Sequence, residues 1–289
     1  MYPWIEKYRP TQFIEMKLDD KHRIIFNNIV KNGKFNNMLF YGPPGTGKTT
    51  AITCLLNDIN KLHGYSENII HLNASDDRGV DTMRNNIYTF VNNKTILNSK
   101  MKFVILDEVD SMTKSAQNSL IHLLDNCNEN VNYCLICNYI SKITESIRKR
   151  CIVLYFKQIP RENKKEYLNH IIKEENINIS EKILDEIIMY GENDIRSMVN
   201  MLQQYKNENW VPISFDDIKI LCDKYSTNII NKYKDKDIKE FYKILFQYII
   251  DNKNYDLELI IMMKNLMQNT CIPYFINIFM PYYKKLNNN

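Results

Sequence analysis

Short apolar runs alternate with amphipathic stretches through the first half of the chain. Five runs rich in aliphatic and aromatic residues, each followed by polar or turn residues, lie at 37–41, 68–72, 103–107, 133–137 and 151–156. Their length and composition are typical of buried strands. After the first run, apolar side chains recur at helical spacing from Ile52 to Leu62, and Gly64 follows. This alternation predicts an α/β fold in which a parallel sheet carries helices on both faces.

The pattern changes after Phe156, and no further strand is predicted before Tyr205. Three helical segments follow, at about 161–175, 180–190 and 193–205. Ser180 is a good N-cap for the second of them, and Gly191 separates the second from the third. After a break at 207–212 the remaining residues again show helical patterns. We therefore predict three domains, with boundaries at 1–157, 158–208 and 209–289.

Composition places the chain among ordinary globular proteins and excludes several other classes. Of its 289 residues 44% are hydrophobic and 25% charged, so a sizeable core is expected. No apolar run approaches the ~18 residues that a membrane helix needs, and we predict no membrane partner. The opening residues carry charges where a secretory signal would be apolar, so the protein is expected inside the cell. The seven scattered cysteines then read as reduced core thiols.

Glycine is scarce, yet three of the seven glycines fall within one short segment. This segment matches the phosphate-binding pattern G-x-x-x-x-G-K-[ST] at every fixed position, and it follows a predicted strand and opens a helix. Backbone N–H groups that turn toward a triphosphate require glycine where a side chain would block them. We expect nine consecutive residues to hold the nucleotide: Gly42, Pro43, Pro44, Gly45, Thr46, Gly47, Lys48, Thr49 and Thr50.

A second element of a nucleotide hydrolase follows at the expected distance. The predicted strand at 103–107 ends in two carboxylates, Asp107 and Glu108. Asp107 would hold Mg²⁺ together with the Thr49 hydroxyl, and Glu108 would polarise the attacking water. The Asn-Lys-x-Asp pattern by which GTPases read guanine is absent, which favours ATP.

Several motifs occur in the order typical of one family. They read Trp-Ile-Glu-Lys-Tyr-Arg-Pro from Trp4, the phosphate loop, Asn-Ala-Ser-Asp-Asp-Arg-Gly from Asn73, Asp-Glu-Val-Asp-Ser-Met from Asp107, Cys-Leu-Ile-Cys-Asn-Tyr from Cys134, and Asp-Ile-Arg from Asp194. From residue 4 to about 205 the chain resembles the small subunits of the clamp loader replication factor C, which are AAA+ ATPases. The resemblance implies a P-loop ATPase domain, a helical lid and an all-helical C-terminal collar that joins subunits.

The same resemblance assigns roles in the nucleotide site. Asn138 matches the sensor that contacts the γ-phosphate or the attacking water, and an amide can both donate and accept there. Arg196 matches a second sensor that reaches the γ-phosphate from the lid. The segment that lies against adenine and ribose is matched by Tyr8, Arg9 and Pro10. Taken without the other motifs, Asn138 would read as an ordinary turn residue at the end of a strand.

Arg150 matches the arginine finger that family members supply to the nucleotide of a neighbouring subunit. A planar cation at that place stabilises transition-state charge. The family triplet is Ser-Arg-Cys, whereas this chain has Lys149 before Arg150 and Cys151. A finger that acts in trans implies a working oligomer and slow hydrolysis by a lone subunit.

By resemblance, Arg78 and Arg84 face DNA phosphates in the central channel, where Lys114 could join them; the alternative is that both arginines are solvated helix residues, and the motif around Arg78 favours DNA contact. Such contacts recognise the form of the nucleic acid and not its sequence. The helix at 118–124 lacks the paired arginines expected in the family. The net charge of +4 is too small to argue for nucleic acid by itself.

The sequence thus favours a clamp-loader ATPase that uses ATP and Mg²⁺. Its expected partners are the other subunits of a pentamer, a ring-shaped sliding clamp and primer-template DNA. Two alternatives stay open: a nucleotide-binding structural subunit with little hydrolysis of its own, and another AAA+ ATPase that remodels DNA. The expected location is the nucleus in a eukaryote and the cytoplasm in an archaeon or a virus-infected cell. The Cys134-x-x-Cys137 spacing is not read as a zinc site, since a strand alternates its faces and no second pair follows.

Overall fold

A computed structural model gives the architecture of the chain. It describes residues 2–64, 68–75, 80–92, 101–125, 130–191, 194–208, 213–223 and 238–251, with isolated positions at 228, 229, 233, 263, 275, 276, 279 and 283. The chain divides into two compact units, Met1–Glu208 and Asn209–Asn289. The nucleotide motifs all fall in the first unit.

The first unit is built on a parallel sheet of five described strands. They are β1 Met38–Tyr41, β2 Ile69–Asn73, β3 Lys102–Asp107, β4 Val131–Cys137 and β5 Ile152–Tyr155. Their spatial order is β2-β3-β4-β1-β5, and every neighbouring pair is parallel. The register sets Tyr41 beside Cys137, so the loops after β1 and β4 leave the sheet at the same edge. The predicted α/β fold is confirmed.

Helices precede, connect and follow these strands. In chain order they are α1 Trp4–Lys7, α2 Asp20–Asn32, α3 Lys48–His63, α4 Val80–Asn92, α5 Lys114–Asp125, α6 Glu145–Arg148, α7 Arg161–Glu174, α8 Glu181–Tyr190 and α9 Ile195–Glu208. Short 3-10 turns lie at Phe13–Glu15, Val109–Ser111 and Ile140–Lys142. The predicted cap of α8 is present, since the Ser180 side chain accepts a hydrogen bond from the Ile183 N–H.

Apolar side chains cover both faces of the sheet. One core joins α2 and α3 to strand residues such as Phe40 and Cys134, and the other joins α5 to residues such as Leu39 and Cys137. The two cysteines of the Cys-x-x-Cys spacing therefore lie on opposite faces. Burial raises the pKa of the Cys137 thiol to about 12, which keeps it protonated and chemically quiet.

The second unit is helical where the structure describes it. Its longer segments are α10 Phe215–Asp223 and α11 Ile238–Asp251, which pack against each other. The Tyr233 hydroxyl donates to the Asp217 carboxylate and accepts from the Ser214 N–H. These two bonds connect the start of α10 to Tyr233. No helix in the described parts of the chain has the length and apolar character to cross a membrane.

Candidate nucleotide site

The glycine loop between β1 and α3 has the backbone that the sequence predicts. Gly42, Gly45 and Gly47 all have positive φ values, of 151°, 73° and 84°. A Cβ on Gly42 would lie 2.2 Å from the Phe156 carbonyl oxygen, and one on Gly45 would lie 2.3 Å from the Asp194 Oδ1. Because these contacts exclude any larger residue, the loop can pass closely under a ligand and present its N–H groups.

Lys48 is the first residue of α3 and is largely buried. Its ammonium donates to the carbonyls of Gly42 and Pro43 and to the Asn138 Oδ1, each at 2.8 Å. Burial lowers the pKa of Lys48, opposed by the charge of Asp107. The ammonium thus lies inside the loop with three acceptors that phosphate oxygens can replace.

The next residue of α3 supplies a candidate metal ligand. The Thr49 hydroxyl donates to the Asp107 Oδ2 at 2.7 Å, which brings the helix start and the end of β3 together. Hydroxyl and carboxylate oxygens are hard donors suited to Mg²⁺, which is held by few protein ligands and by phosphates. The residues present therefore fit the metal.

Glu108 follows Asp107 directly and is exposed. Its backbone has a φ of 56°, which is uncommon for a residue other than glycine. The Glu108 N–H donates to the Asp107 Oδ1 at 2.9 Å, which holds this unusual turn in place. Such strain clusters at functional sites, and here it falls on the residue that follows the candidate metal ligand Asp107.

Asn138 is a predicted site residue, and Asp110, which accepts hydrogen bonds from its loop, is not. Asn138 follows β4, and its Oδ1 accepts the bond from Lys48 at 2.8 Å. Its backbone N–H and that of Tyr139 donate to the Asp110 Oδ2, at 3.2 and 3.1 Å. Asp110 therefore fixes the loop that carries the predicted sensor. Its spacing in Asp-Glu-Val-Asp was visible in the sequence, but its partner 28 positions away was not.

Gln117 on α5 is a second residue without a predicted role. It is almost fully buried, its Nε2 donates to the Met112 and Lys142 carbonyls, and its Oε1 accepts from the Thr144 N–H. These bonds connect α5 to the segment that follows Asn138. No periodicity in the sequence distinguishes such a buried glutamine from an exposed one.

A cleft beside the glycine loop lies between the N-terminal segment, residues 4–10, and the helices after β5. Residues that line it include Arg9, Pro10, Gly45, Thr46, Gly47, Thr50, Asn163, Tyr167 and Arg196. The N-terminal segment and the predicted lid arginine thus lie around one cavity. Tyr8 is not among the residues that line the cleft, and its hydroxyl donates to the Glu175 carboxylate at 2.6 Å. Aromatic lining comes from Tyr167 instead, which the sequence did not single out.

Arg150 lies in an exposed turn between α6 and β5. Its guanidinium binds the Asp125 carboxylate twice, at 2.5 and 2.8 Å, and donates to the Ser146 carbonyl at 2.9 Å. Arg150 is not among the residues that line the cleft of its own chain. The residue before it, Lys149, pairs with Glu145 at 2.8 Å.

The predicted DNA contacts are only partly visible. Lys114 is exposed at the first residue of α5. Arg84 lies on α4, with a side chain outside the described part, and Arg78 lies outside the described residues. These three assignments stay predictions.

The parallel sheet, the glycine loop before α3 and the paired carboxylates after β3 define a P-loop ATPase of the AAA class. The family model "ATPase family associated with various cellular activities (AAA)" matches residues 38–158. Among solved structures, the chain is similar to the RuvB Holliday junction branch migration motor of Thermotoga maritima. The TM-score is 0.58 at 14% identity, over 85% of this chain and 80% of that one, which shows the fold.

Sequence relatives narrow this class. The chain is 37% identical to replication factor C subunit 5 of Mus musculus, over 70% of this chain and 59% of that protein. It is 36% identical to a putative replication factor C small subunit of Acanthamoeba polyphaga mimivirus, over 84% and 65%. Over most of its length the chain therefore resembles proteins named replication factor C subunits. It spans about three fifths of the length of most of the relatives it matches.

Proposed function

We propose that the chain binds ATP with Mg²⁺ and hydrolyses it as one subunit of a clamp loader. The observation that carries this proposal is a pair of hydrogen bonds made by consecutive residues after the glycine loop: Lys48 to Asn138, and Thr49 to Asp107. These residues come from the end of β3, the position after β4 and the start of α3. A turn that only joined a strand to a helix would need none of their side chains.

Each residue has a chemical task in this proposal. The glycine loop and Lys48 bind the β and γ phosphates, and Glu108 polarises the attacking water. Thr49 and Asp107 would hold the metal, which supplies charge stabilisation at the transferring phosphoryl group. Asn138 orients the γ-phosphate or the water, and Arg196 reaches the same region from α9. Arg150 serves the nucleotide of a neighbouring subunit.

The domain and partner assignments belong to the same proposal. Residues 158–208 act as the lid, and residues 209–289 act as the collar of a pentamer. The assembly opens a sliding clamp and grips primer-template DNA through phosphate contacts of Arg78, Arg84 and Lys114. The similarity to relatives named replication factor C subunits supports this assignment. In a eukaryote the assembly would work in the nucleus, and otherwise in the cytoplasm.

Binding of ATP·Mg²⁺ to the Lys48→Ala protein tests the nucleotide site. Loss of a charge-assisted contact worth ~1.5–3 kcal/mol weakens binding by roughly 10- to 100-fold. Lys61→Ala is the matched control, because Lys61 lies exposed near the end of the same helix. Calorimetry should show wild-type affinity for the control. Equal affinity of all three proteins would refute the site.

A further inference from the structure

Three donors converge on one carboxylate at the end of α7. The Glu175 Oε1 accepts from the Lys7 ammonium and from the Tyr8 hydroxyl, both at 2.6 Å. The Glu175 Oε2 accepts from the Lys206 ammonium, also at 2.6 Å. The Glu175 side chain is only 11% exposed. One carboxylate thus joins the N-terminal segment, α7 and α9.

Further contacts bind the same N-terminal segment to the helical region. The Trp4 N–H donates to the Gln203 Oε1 on α9 at 3.0 Å, and the Tyr167 hydroxyl of α7 donates to the Tyr8 carbonyl at 2.8 Å. Trp4 is buried, and the Lys206 ammonium lies 5.4 Å from the centre of its ring. The segment is therefore held along its length on the two helices.

The candidate nucleotide cleft lies against this assembly. The N-terminal segment lines it through Ile5, Arg9 and Pro10, while α7 and α9 contribute residues such as Tyr167 and Arg196. Glu175 is not one of the lining residues. It joins two walls of the cleft from outside the cavity.

We propose that Glu175 is a positioning residue for the nucleoside part of ATP: it holds the N-terminal segment against α7 and α9 and thereby sets how tightly the cleft closes. This inference rests on the proposed function. It predicts that Glu175 affects the affinity for the base and sugar but not for the phosphates, which bind at the glycine loop on the sheet.

The charge of Glu175 is essential to this arrangement. Its hydrogen bonds, first with Lys206 and then with Lys7 and Tyr8, lower the pKa of Glu175 to about 2, so it stays ionised near neutral pH. A glutamine of the same shape offers one acceptor oxygen and one NH2 group, which can only donate. With Oε1 toward Lys7 and Tyr8, its N–H group would face the Lys206 ammonium, donor against donor.

The test compares two ligands on the full chain: ATP·Mg²⁺ and inorganic tripolyphosphate with Mg²⁺. We expect Glu175→Gln to weaken ATP about tenfold, the order of one lost charge-assisted contact, and to leave tripolyphosphate within twofold. The matched control is Glu174→Gln, which changes the exposed neighbouring residue. It should leave both affinities unchanged.

A merely structural role for Glu175 predicts a different result, because a damaged fold would weaken both ligands alike. Lys7→Ala provides a second variant, since that side chain is half exposed and its loss should not impair folding. It should weaken ATP binding in the wild type and weaken it less in the Glu175→Gln background, where the arrangement is already loosened. Additive losses, or an equal loss of both ligands, would overturn the proposal.

The outcomes separate this proposal from the proposed function. If the wild type binds ATP, Lys48→Ala weakens that binding as expected, and Glu175→Gln behaves like Glu174→Gln, only the positioning role fails. If the wild type binds neither ATP nor tripolyphosphate, the nucleotide site itself fails.

Discussion

Replacing Gly42 by alanine tests the steric basis of the glycine loop. The new Cβ would lie 2.2 Å from the Phe156 carbonyl oxygen and 3.1 Å from the Phe156 carbonyl carbon. Ordinary contacts begin near 3.4 Å, so the backbone would have to move by more than 1 Å. Phe156 follows β5, and its N–H donates to the Tyr41 carbonyl at 2.8 Å. The movement would therefore strain the β1–β5 pairing.

The magnitude follows from two costs. Overpacking at a site that cannot yield costs about 1–3 kcal/mol, and a side chain on a backbone with φ of 151° costs about 1–3 kcal/mol. We expect Gly42→Ala to destabilise the first unit by roughly 2–6 kcal/mol in urea unfolding. The Gly42 carbonyl also accepts from Lys48 at 2.8 Å, so ATP affinity should fall as well.

Gly64→Ala is the matched control for this experiment. Gly64 also has a positive φ, of 71°, but no described residue has an atom within 4 Å of a Cβ placed there. It should therefore cost only about 1 kcal/mol and leave ATP affinity unchanged. If the two variants lost equal stability, the contact with Phe156 would not matter and the steric reasoning would be refuted.

Three further predictions concern contacts around the site. Asp110→Ala should lower ATP turnover by about 10- to 100-fold with little change in ATP affinity, since it releases the loop that carries Asn138; a fall in affinity with unchanged turnover would contradict this. Asp125→Asn should weaken the two-point grip on Arg150 and change turnover of the assembled complex without changing ATP binding by the isolated chain. Because the pKa of Glu175 is lowered from 4.5 to about 2, its stabilising contribution is complete above pH 4.5 and disappears as the pH falls toward 2. Wild type should therefore lose more stability than Glu175→Gln over that interval in acid unfolding; parallel curves would contradict the assignment.

Local patterns predicted the sheet because each strand carries its own apolar signal. The errors lie at strand ends, and at two of them a buried polar residue belongs to the strand. Strand β4 begins at Val131 and not at 133, because Asn132 takes part in the pairing of β3 with β4. Its Oδ1 accepts a hydrogen bond from the Phe35 N–H at 3.4 Å. Strand β3 includes Lys102, whose ammonium donates to the Phe90 and Val91 carbonyls. A prediction from local composition assigns polar residues such as Asn132 and Lys102 to loops.

In the candidate site, too, features within one short segment could be predicted, whereas contacts between residues far apart in sequence could not. The glycine loop and the carboxylates after β3 could be predicted since each lies within one short segment. The contacts of Glu175 with Lys7 and of Arg150 with Asp125 join positions 168 and 25 apart, and no spacing rule connects them. The direction of the Tyr8 phenol depends on the same distant carboxylate, so the motif alone could not give it.

We propose that this chain is an ATP-hydrolysing clamp-loader subunit. ATP turnover by the assembled complex tests this proposal most directly, measured alone, with primer-template DNA, and with DNA and sliding clamp together. We expect DNA and clamp each to stimulate turnover, and Lys48→Ala in this subunit to remove its share of the stimulated rate. ATP turnover that neither DNA nor clamp stimulates, or that is unchanged by Lys48→Ala, would contradict the proposed clamp-loader function.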